Sequence, residues 1–209
     1  MTVLLTGFAP FGGATTNPSW QAARLVAARR DDVVAVELPV EFEASLPALR
    51  AAIETHRPDL VVCAGEAGGR ASVTPERVAI NLIDARIPDN AGDQPVDVPV
   101  IEGAPAAYFT SLPVKAAVAA IQAHGVPAAV SHTAGTYVCN QVFYGLMHLL
   151  ATEFPALRGG FVHVPSAPEQ VGPGEPALGV EQSAVALDAV ITTALTTTAD
   201  LDVTAGTLN

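Results

Sequence analysis

Short β-branched runs alternate with alanine-rich amphipathic stretches along this chain, and that alternation restricts the fold more than any other feature. The runs "TVLLTGF" (2–8), "VVAVELPV" (33–40), "DLVVCAG" (59–65), "RVAINLI" (77–83), "AAVSHTA" (128–134) and "GFVHVP" (160–165) read as strands. Helical patterns begin at Pro18, Phe42 and Pro113, and two more start near Asn140 and near Glu175 to Pro176. Asn17 followed by Pro18 is a helix start, because the asparagine caps and the proline lacks only an N–H that the first turn leaves unpaired. The rhythm predicts an α/β fold, a three-layer α/β/α sandwich with a largely parallel central sheet. We read residues 1–209 as one domain without internal repeats, its tail frayed from about residue 199. The stretch 85–109 follows neither period, and a loop of that length reads as a wall or lid over a site.

Charge narrows the possible partners. Ten basic residues against 21 acidic ones give a net charge of −11, which opposes nucleic acid and anionic membranes as partners. No apolar run approaches the ~18 residues of a membrane span. The opening "MTVLLTGFAPFGG" lacks a basic start and breaks at Gly7 and Pro10, so no signal segment is expected. Two cysteines are too few for a disulfide framework, and we expect a cytoplasmic protein. The histidines are scattered without metal-ligand spacing, and "GGATTNPSW" lacks the lysine of a phosphate loop, so neither metal nor cofactor is expected.

The two cysteines differ in setting. Cys63 lies inside the apolar run "DLVVCAG" and reads as an inert core thiol. Cys139 follows the turn "AGTYV" and precedes an amphipathic stretch, which puts it at a helix start beyond the end of a strand. Backbone N–H groups there favour a thiolate and receive the oxyanion of an acyl-transfer intermediate. A cysteine nucleophile needs a base that later protonates the leaving amine. His163, near the end of an apolar strand, is the preferred candidate, with His132 the alternative; His56 and His124 end helices, and His148 reads as structural. A carboxylate to orient the imidazole comes from Glu76 or Glu66, which the residues alone do not rank.

Several blocks of the chain together resemble the pyroglutamyl peptidase I family of cysteine peptidases: "LLTGFAPFGG" with "NPSW", "AGEAGGR", "PERVAINLIDARIPDNAGDQP", "GAPAAYFTSLP", "TAGTYVCNQVFYGLMH" and "RGGFVHVPSAPEQ". They occur in family order from residue 3 to about residue 170. The resemblance implies a Cys-His-Glu triad of Cys139, His163 and Glu76, and it alone selects Glu76 over Glu66. It implies peptides with an N-terminal pyroglutamate as substrates, cleaved through a thioester, and a homo-oligomer, tetramer or dimer. Arg86 would support the oxyanion. Phe8, Phe11, Asn17, Glu66, Tyr137 and Val138 would form the substrate pocket, the two phenylalanines packing on the lactam ring. Two positions depart from the family pattern: Tyr137 replaces a common phenylalanine, and Glu66 replaces a glutamine that both donates and accepts, whereas an ionised glutamate only accepts. The readings set against this peptidase are a non-catalytic metabolite-binding protein of the same fold, and a cysteine hydrolase of another amide or lactam.

Overall fold

Strands buried on both faces need helices on both sides, and the first and third runs are apolar at nearly every position. The computed structural model describes residues 1–207 and arranges them in that way. In chain order the elements are β1 (Val3–Phe8), α1 (Pro18–Ala27), β2 (Val33–Leu38), α2 (Phe42–His56), β3 (Leu60–Glu66), β4 (Thr74–Pro75), β5 (Val78–Ile80), β6 (Ala107–Phe109), α3 (Val114–Ala123), α4 (Val138–Thr152), β7 (Arg158–Val164) and α5 (Val180–Thr196). The main sheet has the order β2-β1-β3-β7-β4. Its first four strands are parallel, and β4 pairs antiparallel with β7 at the edge.

Alternation along the strands divides the interior in two. Val3, Leu5, Val62, Ala64, Val162 and Val164 pack under α1, α3 and α5. Leu4, Phe8, Val61, Cys63 and Phe161 pack under α2 and α4. This is the expected three-layer α/β sandwich. Full burial of a side chain such as Phe161 contributes about 1.5–3 kcal/mol. Among the described residues no helix is long and apolar enough to cross a membrane.

Five local expectations change. The run 77–83 is not a strand of the main sheet: only Val78–Ile80 pairs, with β6, in a separate two-stranded sheet. The Asn140 side chain takes the Ile80 N–H and the Ile80 and Leu82 carbonyls, which removes the groups a longer ladder needs. The run 128–134 forms only isolated bridges, Val73 to Ala128 and Glu76 to Ser131. Pro75 lies between them and has no N–H to donate, so the ladder is interrupted.

Helix α4 starts at Val138 rather than Asn140, which brings Cys139 inside the first turn. Helix α5 starts at Val180 instead of residues 175–176, because Leu178 N–H is bound to the Ser166 carbonyl and holds the preceding stretch extended. The tail is docked rather than frayed. The Asp200 carboxylate accepts from the N–H groups of Lys115 and Ala116, capping α3, whose own N-cap is a proline. Residues 208–209, at the end of the tail expected to fray, lie outside the described residues.

The segment 85–109 is a packed wall. Asp89 is buried and caps α2 from a distance by accepting the Phe42 N–H at 2.7 Å, where the N-cap residue Glu41 makes no side-chain bond. Ile83 and Val98 bridge across its base, and Asn90 donates to the Pro10 carbonyl.

Candidate active site

The register of the sheet brings His163 and Glu76 together. His163 on β7 is paired with Gly65 of β3 on one side and Thr74 of β4 on the other. Paired residues share a face, and Glu76 stands two residues beyond Thr74, so all four point toward α2 and α4. Glu76 is held at that edge by its N–H to the Phe161 carbonyl, 2.9 Å. His163 Nδ1 and Glu76 Oε1 lie 2.7 Å apart, with Glu76 wholly buried and His163 only 3 % exposed. An ionised carboxylate can only accept, so Nδ1 carries the proton and Nε2 is the free acceptor.

Cys139 arrives from the other side. A turn with Gly135 at φ 78° precedes α4, whose N-cap Tyr137 makes no side-chain cap. Cys139 is therefore the second helical residue, in the turn whose N–H groups lack intrahelical acceptors. The next two residues fasten this helix start: Asn140 binds the 80–82 stretch, and Gln141 donates to the Phe42 carbonyl and accepts from Ser45 Oγ. A Cβ built on Gly65 would lie 2.8 Å from Cys139 Sγ and 2.8 Å from Phe161 Cζ. The thiol thus sits over the strand neighbour of His163.

The electrostatics differ from the expectation of a lowered thiol pKa. Burial, and after it the Glu76 charge, push the Cys139 thiol up to about 12, against the helix start. Cys63 is pushed equally high by burial. Burial works against the Glu76 charge, but hydrogen bonds, first from His163 and also from Arg70, hold its carboxyl below the usual range. Arg70 Nη1 donates to the same Oε1, at 2.7 Å, and Oε2 has no partner among the described residues.

Beside Cys139 lies a pocket lined by Phe8, Phe11, Asn17, Val40, Glu66, Tyr137 and Val138. Its volume of ≈ 10 Å³ is about what one water molecule requires. Tyr137 packs on Phe11 and edge-on against Phe42, and its hydroxyl donates to the Pro88 carbonyl at 3.0 Å. The Asn17 side chain is committed: its oxygen accepts from Ser19 and its amide donates to the Ala9 carbonyl. Glu66 Oε1 accepts from Ser166 Oγ at 2.7 Å, and Oε2 accepts from Gln170 Nε2 at 3.5 Å.

Arg86 is not brought into the pocket. Its neighbour Ala85 turns inward, which leaves Arg86 exposed and, among the described residues, without a hydrogen bond or ion pair. His132 is also exposed, whereas His148 meets the Tyr108 hydroxyl at 3.0 Å. Val40 and Arg70 were not foreseen; Arg70 stood in the "AGEAGGR" block, but nothing in that string says what its guanidinium reaches. A larger cleft of ≈ 790 Å³, lined in part by Met1, Arg57, Phe154 and Arg158, lies at the opposite end of the strands. Ligands of parallel sheets gather at the carboxyl ends, where Cys139 and His163 are.

A family model described as pyroglutamyl peptidase matches residues 1–197. The chain is 62% identical to a pyrrolidone-carboxylate peptidase of Streptomyces coelicolor, covering 98% of this chain and 97% of the relative. It is similar to the crystal structure of pyroglutamyl peptidase I from Bacillus amyloliquefaciens, with a TM-score of 0.94, 48% identity, and coverage of 97% of this chain and 99% of that one. The pyrrolidone carboxyl peptidase of Thermococcus litoralis gives a TM-score of 0.91 at 35% identity, with coverage of 97% and 99%.

Proposed function

The chain belongs to the pyroglutamyl peptidase family, and from that premise we propose that it removes N-terminal pyroglutamate from peptides through Cys139, His163 and Glu76. The observation that carries the reading is the 2.7 Å contact between His163 Nδ1 and Glu76 Oε1, next to the strand position over which Cys139 Sγ sits.

With its thiol pushed up to about 12, Cys139 rests protonated at neutral pH. His163 Nε2 takes the proton as Sγ attacks the carbonyl carbon that joins pyroglutamate to the next residue. The N–H groups of the first turn of α4, that of Cys139 among them, face the developing oxyanion. The imidazolium formed next to ionised Glu76 then gives its proton to the leaving amine, and the C–N bond breaks to leave a thioester. Water, deprotonated by His163, adds to the thioester, and pyroglutamate departs as the thiol is restored. The lactam ring lies against Phe8, Phe11, Tyr137 and Val138, whose side chains must part to admit it because the space between them holds about one water, with Glu66 Oε2 accepting the lactam N–H. Arg86 has no step in this scheme.

The same reading takes residues 1–209 as one peptidase domain that works as a homo-oligomer in the reducing cytoplasm, where Cys139 stays a free thiol. The test is release of a chromophore from a pyroglutamyl amide, with Cys139→Ala assayed alongside. Release by the wild type and none by the variant is expected. No release by folded wild type would defeat the substrate assignment, and release that persists in Cys139→Ala would defeat the mechanism.

A further inference from the structure

The carboxylate that faces His163 has a second tether. Arg70 lies in the loop after β3, its side chain 29% exposed, and its two terminal nitrogens serve different segments. Nη1 donates to Thr74 Oγ1 at 2.6 Å and to Glu76 Oε1 at 2.7 Å. Nη2 donates to the Thr133 carbonyl at 3.0 Å, in the stretch that leads through Gly135 to Cys139. Ser131 Oγ lies 3.4 Å from Nη1 and donates to the same Thr133 carbonyl.

This geometry bears on two distances at once. Glu76 has two equivalent oxygens, and Oε2 is buried without a partner among the described residues. His163 Nδ1–H by itself could donate to either oxygen, so rotation of the carboxyl group would shift the imidazole. With Arg70 and His163 both on Oε1, the carboxylate has one favoured rotation. The run 128–134, in turn, lacks a continuous ladder to hold it against the sheet. Nη2 supplies a bond just beyond the last of its isolated bridges, and so ties the turn before the nucleophile to the carboxylate that orients the base.

We infer that Arg70 is a positioning residue, a forked clamp that fixes the Glu76 carboxylate to the Thr133 turn and thereby sets the imidazole relative to Cys139. Arginine suits the task because its guanidinium is planar and presents donors in a rigid fork. A lysine ammonium keeps the charge over Glu76 but is a point charge without the fixed spacing that spans both acceptors. The inference rests on the proposed triad. Arg70 touches no reacting atom, so its removal should slow turnover while leaving substrate binding nearly intact.

The test is steady-state kinetics of Arg70→Ala and Arg70→Lys on a pyroglutamyl amide, with circular dichroism to establish folding. Misplacing a catalytic group by an ångström costs about a hundredfold, and a fall in kcat of that order is expected for Arg70→Ala, with KM close to wild type. Guanidinium ion at millimolar concentration should restore part of kcat to Arg70→Ala and none to Arg70→Lys, whose side chain fills the site. If Arg70→Ala does not fold, Arg70→Lys decides: a kcat lowered about tenfold or more, at unchanged KM, supports the clamp. Wild-type kcat in either folded variant, or a loss that falls on KM alone, overturns it. Cys139→Ala measured in parallel separates the two ideas: if it is inactive while Arg70→Ala is unaffected, only the clamp fails, whereas its activity would remove the triad on which the clamp depends.

Discussion

Gly65 and Cys139 are matched in space: the position a Cβ would occupy at Gly65 is 2.8 Å from Cys139 Sγ. Gly65 has no positive φ to require glycine, so the requirement is room for the thiol. Its strand partner is His163, and the missing side chain leaves room for the sulfur over this strand position.

A methyl group at that position tests this directly. In Gly65→Ala the new Cβ meets both Cys139 Sγ and the Phe161 ring, and neither can retreat far. We expect about 1–3 kcal/mol of overpacking cost and a kcat reduced about a hundredfold, with the fold kept. Circular dichroism and steady-state kinetics check it; wild-type kcat in Gly65→Ala would show that the thiol is not held there.

Glu66 faces the pocket where the family pattern has glutamine. If Oε2 accepts the lactam N–H, Glu66→Gln keeps an acceptor and adds a donor, so KM should change more than kcat. Losing one hydrogen bond to a charged group is worth about 1.5–3 kcal/mol, which bounds the KM change at about a hundredfold. Complete loss of turnover in Glu66→Gln would instead make this carboxylate part of the chemistry.

Asp89 should give the fold a pH-dependent component. Burial opposes its charge, but N–H bonds from Phe42 and its own loop hold its carboxyl below the ordinary 3.8. A depressed folded-state pKa contributes stability that is present above the unfolded value and lost as pH falls through the folded one. Asp89→Asn should therefore cost about 1 kcal/mol at pH 7, and less at an acid pH below the ordinary 3.8. Urea unfolding at the two pH values measures it, and an equal gap at both would reject the capping role.

Asp200 tests whether the tail is part of the structure. It supplies the cap that Pro113 cannot, so Asp200→Ala should lower stability by about 1 kcal/mol and leave kcat and KM unchanged. An unaltered Tm would mean that residues beyond α5 contribute nothing to α3.

Much of the site was legible before the fold. Cys139 stood apart from Cys63 because one follows a glycine-containing turn and the other sits within an apolar run, and the structure puts them in those places. The preference for His163 followed from its position near a strand end, and its pairing with Gly65 puts it beside the strand position over which the sulfur sits. Glu76 and Glu66 were not separable by local pattern, because their difference is one of register: Glu76 faces His163 only through the pairing of β4 with β7. The short β5 and the broken ladder at 128–134 were missed because a side-chain amide and a proline, not hydrophobic period, decide them.

The sequence by itself determined the α/β class, the parallel strand order's need for two helical layers, the thiol at a helix start and the family. The first three are local properties, written in periods of two and 3.6, whereas the family rests on the resemblance of whole blocks. Tertiary structure alone decided three things: that Cys139 is pushed up rather than down, that Arg86 stays outside, and that Arg70 reaches Glu76. Each depends on which distant charges and carbonyls share a buried volume, and electrostatic energy varies with that distance and burial rather than with separation along the chain.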